Sequence, residues 1–234
     1  MKHVDEYRQP VLVKSLAARL QELAAAAGRR LRIMEVCGTH TMNLFRFGLR
    51  SLLPPTMEVV SGPGCPVCVT APADIDACLT AAGNPRVTIA TFGDLLRVPG
   101  SHGSLAAARS QGSRVVMVHS PATALDLARR HPEQLVVFIG IGFETTVPTV
   151  AATVKQAAVL GLDNFCLLSL HKIMPPVFAR LLATGHRLDG LLYPGHVAAI
   201  TGRLAFAGIS ETYALPGVIA GFEPVDIMQA LVQL

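Results

Sequence analysis

The sequence lacks the features of two common classes of protein. It has no cluster of Lys and Arg with interleaved aromatic residues, which argues against nucleic-acid binding. Its longest apolar stretch, LVVFIGIGF at 135–143, is far shorter than the roughly 20 residues that a membrane-spanning helix needs. The start of the chain, MKHVDEYRQP, carries charge where a signal peptide has an apolar segment. We therefore expect a globular protein of the cytoplasm that binds neither nucleic acid nor a membrane.

The common phosphate-binding loops and the hydrolase nucleophile elbow are also missing. No GxxxxGK[ST] loop is present, and GIGFET at 140–145 matches only the beginning of a GxGxxG motif. No Gly-x-Ser-x-Gly motif occurs either. Nucleotide binding and serine-hydrolase chemistry therefore have no support in the sequence.

Cysteine is scarce and odd in number. The chain has five: Cys37, Cys65, Cys68, Cys78 and Cys166. In a reducing compartment, such thiols are metal ligands or catalysts more often than structural bridges. Two of the five fall inside helical and strand patterns, and we expect both Cys78 and Cys166 to lie in the core.

One pattern repeats along the chain. A short apolar run is followed by a loop rich in Gly and Pro and then by a helical stretch rich in Ala and Leu, about eight times in all. Continuous apolar strands that alternate with helices predict an α/β fold with parallel sheets covered on both faces. We expect two small Rossmann-like lobes, residues 1–131 and 132–234, with a single sheet or a barrel as the alternative. The segment VKSLAARLQELAAAAG is expected to form a helix that ends at Gly28.

The unusual motifs all follow predicted strands. In open parallel sheets, ligands bind beyond the carboxyl ends of the strands, so this placement alone indicates a site. The motifs are CGTHT, GPGCPVC, FGD, GFETT, LHKIMPP, PGHVAAI and GFEP.

GPGCPVC, at 62–68, places Cys65 and Cys68 three residues apart in a turn. Thiols at this spacing can join as a disulfide or bind one metal ion. A structural zinc site would need a second such pair, and the chain has none. A redox pair and an open metal site both remain, beside the simpler reading of a turn with two incidental cysteines.

EVCGTHT places Cys37 at the end of the first predicted strand, with His40 close behind it. A cysteine in this position is often only a small core residue. If the first two strands are neighbours, Cys37 faces the Cys65/Cys68 turn. Three thiolates, with or without His40, would then suit Fe(II) or Zn(II) with an open coordination position.

Further polar residues follow the other strands, and each has two interpretations. Glu144, Glu223 and Asp94 are candidate acids or bases, or caps of the helices that follow them. The remaining candidates, for anion contact or proton transfer, are loop residues that are often only solvated: His171, Lys172 and His196.

In their order along the chain, these motifs resemble the HypD family of hydrogenase maturation proteins, from about residue 30 to the end. The resemblance rests on EVCGTHT, SGPGCPVCVT, FGDLLRVPGS, GIGFETTVPT, LHKIMPP, PGHVAAITG and GFEPVDI. It implies a scaffold, or metallochaperone, on which the Fe(CN)2CO group of [NiFe]-hydrogenase is assembled with a HypC-like chaperone. The cyanide ligands would come from a HypE–HypF pair.

The resemblance also implies roles for particular residues. Cys37 matches the essential cysteine of the family, Cys65 and Cys68 match its CxxC pair, and His40 and Glu144 match residues of its motifs. It thus implies that the thiols bind iron and cycle through a disulfide, rather than hold zinc. It points to an assembly scaffold with redox-active thiols more than to a conventional turnover enzyme.

Proteins of this family continue into a further region whose cysteines hold a [4Fe-4S] cluster, whereas this sequence stops at Leu234. The expectation is a truncated chain without those cluster ligands. Two other functions stay open at this point. One is a thiol–disulfide oxidoreductase that uses Cys65 and Cys68, and the other is a truncated interaction module that binds its partner but assembles nothing.

Overall fold

The computed structural model describes residues 4–234 and shows an α/β protein with two four-stranded, all-parallel sheets flanked by helices. This confirms the predicted fold class. The strands are β1 (Leu31–Glu35), β2 (Met57–Ser61), β3 (Val87–Thr91), β4 (Val115–Met117), β5 (Leu135–Gly140), β6 (Phe165–Ser169), β7 (Gly190–Pro194) and β8 (Gly217–Ala220).

Helices connect almost all of these strands. They are α1 (Pro10–Ala27), α2 (Gly38–Arg46), α3 (Pro72–Ala82), α4 (Leu105–Ser110), α5 (Pro121–Arg130), α6 (Val147–Val159), α7 (Met174–Leu182), α8 (Gly195–Thr201), α9 (Leu204–Tyr213) and α10 (Pro224–Gln233). Short 3-10 helices cover Asp5–Tyr7, Leu49–Leu52 and Gly93–Arg97. Within residues 4–234, no helix combines the length and the apolar character that crossing a bilayer requires.

The chain forms two compact units, and their boundaries differ from the predicted division into 1–131 and 132–234. The first unit contains the described residues up to Cys65 together with Met174–Leu234, and the second contains Pro66–Ile173. The reason is strand pairing between distant segments. β1 pairs with β7, and β3 pairs with β5 across the expected boundary. Runs of similar strands do not show which of them become neighbours.

The first unit is built around the sheet β2-β1-β7-β8. β1 and β2 pair in parallel from Leu31 opposite Met57 to Glu35 opposite Ser61. Helix α1 ends at Gly28, as predicted, and the φ of 63° at this residue is left-handed. The helix begins at Pro10, before the predicted segment, with the proline in its first turn. Apolar residues of α1 and α10 pack with the sheet in one core.

The second unit contains the sheet β4-β3-β5-β6. Every residue of β3 is buried, and an edge-to-face contact joins Phe92 and Phe138, with ring centroids 5.5 Å apart. Cys78 lies in this core, and burial raises the pKa of its thiol to about 11. Cys166 is exposed, so the prediction of a core position was wrong for it. It lies on β6, which is an edge strand and is covered less completely than the central strands.

Asn164 joins three segments of the second unit. Its Nδ2 donates to the carbonyl oxygens of Ala128, His131 and Gln134 at 2.9, 3.1 and 3.0 Å. The end of α5 and the start of β5 are thereby tied to the start of β6.

We expect Asn164→Asp to lower the free energy of unfolding by roughly 2–3 kcal/mol, because a carboxylate cannot donate to carbonyl oxygens and repels them. Urea unfolding measures the difference. The matched control is Asp163→Asn, the reverse change at the exposed neighbouring position, with an expected effect within about 0.5 kcal/mol. Equal effects of the two substitutions would contradict the structural role of the Asn164 amide.

Candidate functional site

The carboxyl ends of the strands of the first sheet carry four of the predicted motifs. CGTHT follows β1, GPGC follows β2, PGH follows β7 and GFEP follows β8. Because all four strands are parallel, these loops share one edge of the sheet. The fold therefore assembles a candidate site from segments that are far apart in sequence.

Gly62 and Gly64 bring the loop after β2 directly against the end of β1. The Gly62 amide donates to the Glu35 carbonyl at 2.7 Å, and a Cβ on Gly62 would lie 2.8 Å from the Met34 Sδ. A Cβ on Gly64 would lie 2.8 Å from the Cα of Cys37. One bond length and one residue step along a trans chain then place the Cα of Cys65 within about 8 Å of the Cα of Cys37.

Cys37 occupies the N-cap of α2, with extended backbone angles and a free thiol. Only 8% of the residue is exposed. Its amide donates to Glu35 Oε2 at 3.0 Å, and its carbonyl accepts from the His40 amide at 2.8 Å. The thiol thus lies at a helix N-terminus, on a turn in which both the amide and the carbonyl of Cys37 form hydrogen bonds.

Cys65 and Cys68 are in the disulfide state. The turn that carries them is braced by Thr70, whose hydroxyl donates to the Pro66 carbonyl at 2.9 Å, and α3 begins shortly afterwards. In residues 4–234, no group of three or more His, Cys, Asp or Glu side chains is arranged to hold a metal ion. The oxidised pair offers no thiolate, so reduction is required before these residues fit a metal ion.

His40 is completely buried beside the loop after β8. Its Nε2 is 2.9 Å from the Gly221 carbonyl oxygen, and its ring centroid is 4.6 Å from that of Phe222. A carbonyl oxygen only accepts, so Nε2 carries the proton and Nδ1 bears the lone pair. Burial lowers the pKa of His40 to about 4, which keeps the ring neutral near pH 7. Nδ1 has no hydrogen-bond partner among residues 4–234.

The loops after β7 and β8 contribute an exposed histidine and a helix cap. The ring of His196 lies 5.0 Å from that of Phe222, and partial burial lowers its pKa. Glu223 is the N-cap of α10 in a capping box with Asp226, and it forms an ion pair with Arg8 that lowers the pKa of its carboxyl. Of the two interpretations of Glu223, the structure favours the cap.

Glu144 and Asp94 lie in the second unit. Glu144 is buried after β5, and the N-cap of the following helix, α6, is Thr146. The structure therefore assigns the cap to another residue and leaves the acid or base role of Glu144 a prediction. Asp94 is exposed in the first turn of a 3-10 helix, where a negative charge is favourable, but the N-cap of that helix is Phe92.

His171 and Lys172 also belong to the second unit. The His171 Nδ1 is 3.0 Å from the Ser169 hydroxyl, and burial lowers the pKa of this histidine. Gly140 leaves room for the ring, since a Cβ there would lie 2.6 Å from the His171 Cε1. Lys172 pairs with Asp74 of α3 at 3.3 Å. Lys172 thus has a structural partner, whereas a role for His171 in proton transfer stays a prediction.

Sequence reasoning missed Glu35, the last residue of β1. It is 2% exposed, and its two carboxylate oxygens accept from the Cys37 amide and from the Thr41 hydroxyl. The signal was available in the sequence, because a carboxylate inside the apolar run LRIMEV is expected to be paired. Thr41 in turn lies 3.2 Å from the Ser61 hydroxyl on β2.

Known proteins resemble this chain over most of its length, beyond the residues of the candidate site. The HypD family model, described as the hydrogenase formation hypA family, matches residues 11–234. The hydrogenase maturation factor HypD of Rhodobacter capsulatus is 46% identical over the whole of this chain and 63% of its own length. The corresponding proteins of Escherichia coli K12 and Azotobacter vinelandii are 46% and 44% identical, over 64% and 63% of their lengths. The chain thus spans somewhat less than two thirds of the curated relatives that it matches.

The close approach of the two loops predicts different costs for two glycine substitutions. We expect Gly64→Ala to lower the free energy of unfolding by roughly 1–3 kcal/mol, because its Cβ would collide with backbone atoms of Val36 and Cys37. Gly38→Ala is the control, since a Cβ there has nothing within 4 Å and the residue lies in a helix. Denaturant unfolding of both variants tests this, and equal stability would contradict the packing.

Buried His40 predicts a pH dependence of stability. Its pKa is about 4 in the folded protein, against about 6.5 in an unfolded chain, so the unfolded state binds the proton first as the pH falls. The contribution of neutral His40 to the free energy of unfolding is complete above about pH 6.5 and is lost as the pH falls towards 4. The total loss is up to roughly 3 kcal/mol.

The measurement compares urea unfolding of the wild type and of His40→Gln between pH 4 and pH 7.5. The slope of stability against pH should be smaller in His40→Gln. His186→Gln, which changes an exposed histidine of the same unit, should keep the wild-type slope. An unchanged slope in His40→Gln would contradict the neutral, buried state of His40.

Proposed function

This chain belongs to the HypD family, and we propose that it acts in hydrogenase maturation as a scaffold for assembly of the Fe(CN)2CO group of [NiFe]-hydrogenase. The observation that carries this proposal is the packing of the GPGC loop on the Cys37 turn. It brings the segment that carries Cys65 to the edge of the sheet that carries Cys37, which supports a shared site for these two residues. Fe(CN)2CO is the cargo of the scaffold and not its resident cofactor.

The chemistry of the residues suits this cargo. Cyanide and CO are strong-field ligands that favour low-spin Fe(II), and thiolates are soft ligands that can hold such an ion while positions stay open for diatomic ligands. Cys37 supplies a thiol that is already free. Cys65 and Cys68 supply two more after reduction, and His40 adds a neutral nitrogen on the same turn as Cys37.

The cysteine pair has a second role in this proposal, as an electron source. When the dithiol closes to a disulfide, one S–S bond forms and two electrons and two protons are released. The reverse reaction takes two electrons and two protons from a dithiol, or one electron at a time from an iron–sulfur donor together with two protons from water. The disulfide state of Cys65 and Cys68 supports this exchange, because it shows that the turn accommodates the oxidised form.

The partners are proposed on the basis of family membership. We propose that a HypC-like chaperone binds the scaffold, that a HypE–HypF pair donates cyanide, and that the process takes place in the cytoplasm, where thiols stay reduced. Glu144, which matches a residue of the family pattern, is proposed to act as an acid or base. The [4Fe-4S] cluster of the family remains an expectation for the longer relatives.

A thiol–disulfide oxidoreductase is the second candidate, and the disulfide is the observation that favours it. In that case Cys65 and Cys68 would exchange with a substrate disulfide, and no metal would be needed. Cys37, which is held at a helix N-terminus against the loop that carries Cys65, favours the scaffold. The two functions differ in whether Cys37 is required.

Iron binding by the reduced chain distinguishes them. We expect the protein, reduced and kept under argon, to bind about one ferrous ion, and Cys37→Ser to weaken binding at least about tenfold because a thiolate ligand is lost. Cys166→Ser is the matched control, since that exposed thiol lies on β6 and should not affect binding. With a HypC-like partner, a cyanide source and added CO, CO and cyanide infrared stretches should appear and should be absent in Cys37→Ser.

Two results would contradict the scaffold. One is a reduced wild-type chain that binds no iron, and the other is undiminished iron binding or infrared bands in Cys37→Ser. Reduction of insulin disulfides by the metal-free chain, independent of Cys37, would support the oxidoreductase instead.

A further inference from the structure

Glu35 is a buried carboxylate directly behind the thiol of the proposed site. Only 2% of the residue is exposed, and it lies at the end of β1, two residues before Cys37. Burying a carboxylate is costly unless hydrogen bonds compensate it. Because burial of this carboxylate is costly, a specific role for Glu35 in the strand that leads to Cys37 is expected.

Both side-chain hydrogen bonds of Glu35 go to the Cys37 turn. Oε2 accepts from the Cys37 amide at 3.0 Å, and Oε1 accepts from the Thr41 hydroxyl one helical turn later. Thr41 contacts the Ser61 hydroxyl at 3.2 Å, which links the carboxylate to β2. One side chain thus fixes both the N-cap and the first turn of α2.

The negative charge of this carboxylate is close to the sulfur. A side-chain sulfur lies within about 4 Å of its own amide nitrogen, so Glu35 Oε2 is within about 7 Å of the Cys37 Sγ. The nearby cation is Arg50, which lines the same cavity of about 10 Å³ as Glu35. Its guanidinium donates to the Val59 carbonyl at 3.2 Å and lies over the Phe45 ring at 4.8 Å. No ion pair between Glu35 and a basic side chain occurs in the described part of the chain.

We propose that Glu35 is the positioning residue of Cys37 and that its charge makes the thiol site select cations and disfavour anions. The carboxylate holds the N-cap backbone by hydrogen bonds and adds a negative potential at the sulfur. A metal cation is attracted by that potential, whereas an anionic electrophile is repelled. The metal part of this inference rests on the proposed function, but the charge preference does not.

Paired alkylating reagents of similar size measure the charge preference. Iodoacetamide is neutral and iodoacetate is anionic, and both react with the same thiolate, so the ratio of their rates reports the local potential. Cys166 is an internal reference, because it is free and exposed on β6. In the wild type, the iodoacetate-to-iodoacetamide ratio should be lower at Cys37 than at Cys166, as peptide mass spectrometry can determine for each site.

Two variants separate charge from position. Glu35→Gln keeps an acceptor for the Cys37 amide and a partner for Thr41 but removes the charge, so the ratio at Cys37 should rise about three- to sevenfold. Thr41→Val keeps the charge of Glu35 and removes one of its hydrogen bonds. The rates of both alkylation reactions at Cys37 should therefore change in parallel, and their ratio should be unchanged. The ratio at Cys166 should be constant throughout.

An unchanged ratio at Cys37 in folded Glu35→Gln would overturn the inference. If that variant does not fold, a wild-type ratio at Cys37 equal to that at Cys166 would overturn it as well. A simple structural role for Glu35 would alter both rates together and leave the ratio unchanged.

Ferrous ion binding by the reduced chains gives the second measurement. Glu35→Gln should bind Fe(II) about three- to tenfold more weakly than the wild type. A shifted alkylation ratio in a chain that binds no iron would support the role of Glu35 and reject the proposed scaffold. Normal iron binding in Glu35→Gln with an unshifted alkylation ratio would support the proposed scaffold and reject the role of Glu35.

Discussion

The contact of backbone with backbone between the GPGC loop and the end of β1 is the constraint on which the candidate site depends. Gly62 and Gly64 have no Cβ, so the loop can lie directly against the Met34 side chain and the backbone of Glu35, Val36 and Cys37. Larger residues would push the loop away from the sheet and carry Cys65 away from Cys37. The glycines therefore set the separation of the two sulfur-bearing segments, and Pro66 disfavours helical geometry at Cys65.

The polar residues of this edge serve the same geometry. Glu35 and Thr41 hold the turn of Cys37, the Gly221 carbonyl holds the ring of His40, and Glu223 caps the helix that begins just after that carbonyl. His40 has a backbone partner in the neighbouring loop, and Thr41 links its turn to the Ser61 hydroxyl at the end of β2. The site is consequently made rigid by hydrogen bonds between loops as well as by the sheet below them.

Much of the fold and part of the site were predictable from local patterns. Alternation of apolar runs and helices predicted parallel sheets, and the position of GPGCPVC and CGTHT after two strands predicted a shared edge. Sequence periodicity did not reveal that β7 lies beside β1, because pairing between distant strands depends on packing of whole surfaces. The exposure of Cys166 was missed for the same reason, because strand order places β6 at an edge of its sheet. The pairing of Glu35, in contrast, was indicated by its position inside an apolar run.

The first unit is discontinuous, since the strands β1 and β2 come before the second unit and β7 and β8 come after it. A ribosome makes the chain from its N-terminus, so Pro66–Ile173 can fold while the first sheet still has only two strands. During that interval the turn with Cys37 lacks the Gly221 carbonyl that later holds His40. During this part of synthesis, the Cys37 thiol therefore lies on an incomplete sheet without the loops after β7 and β8. Nascent chains are expected to need a reducing environment most at this stage.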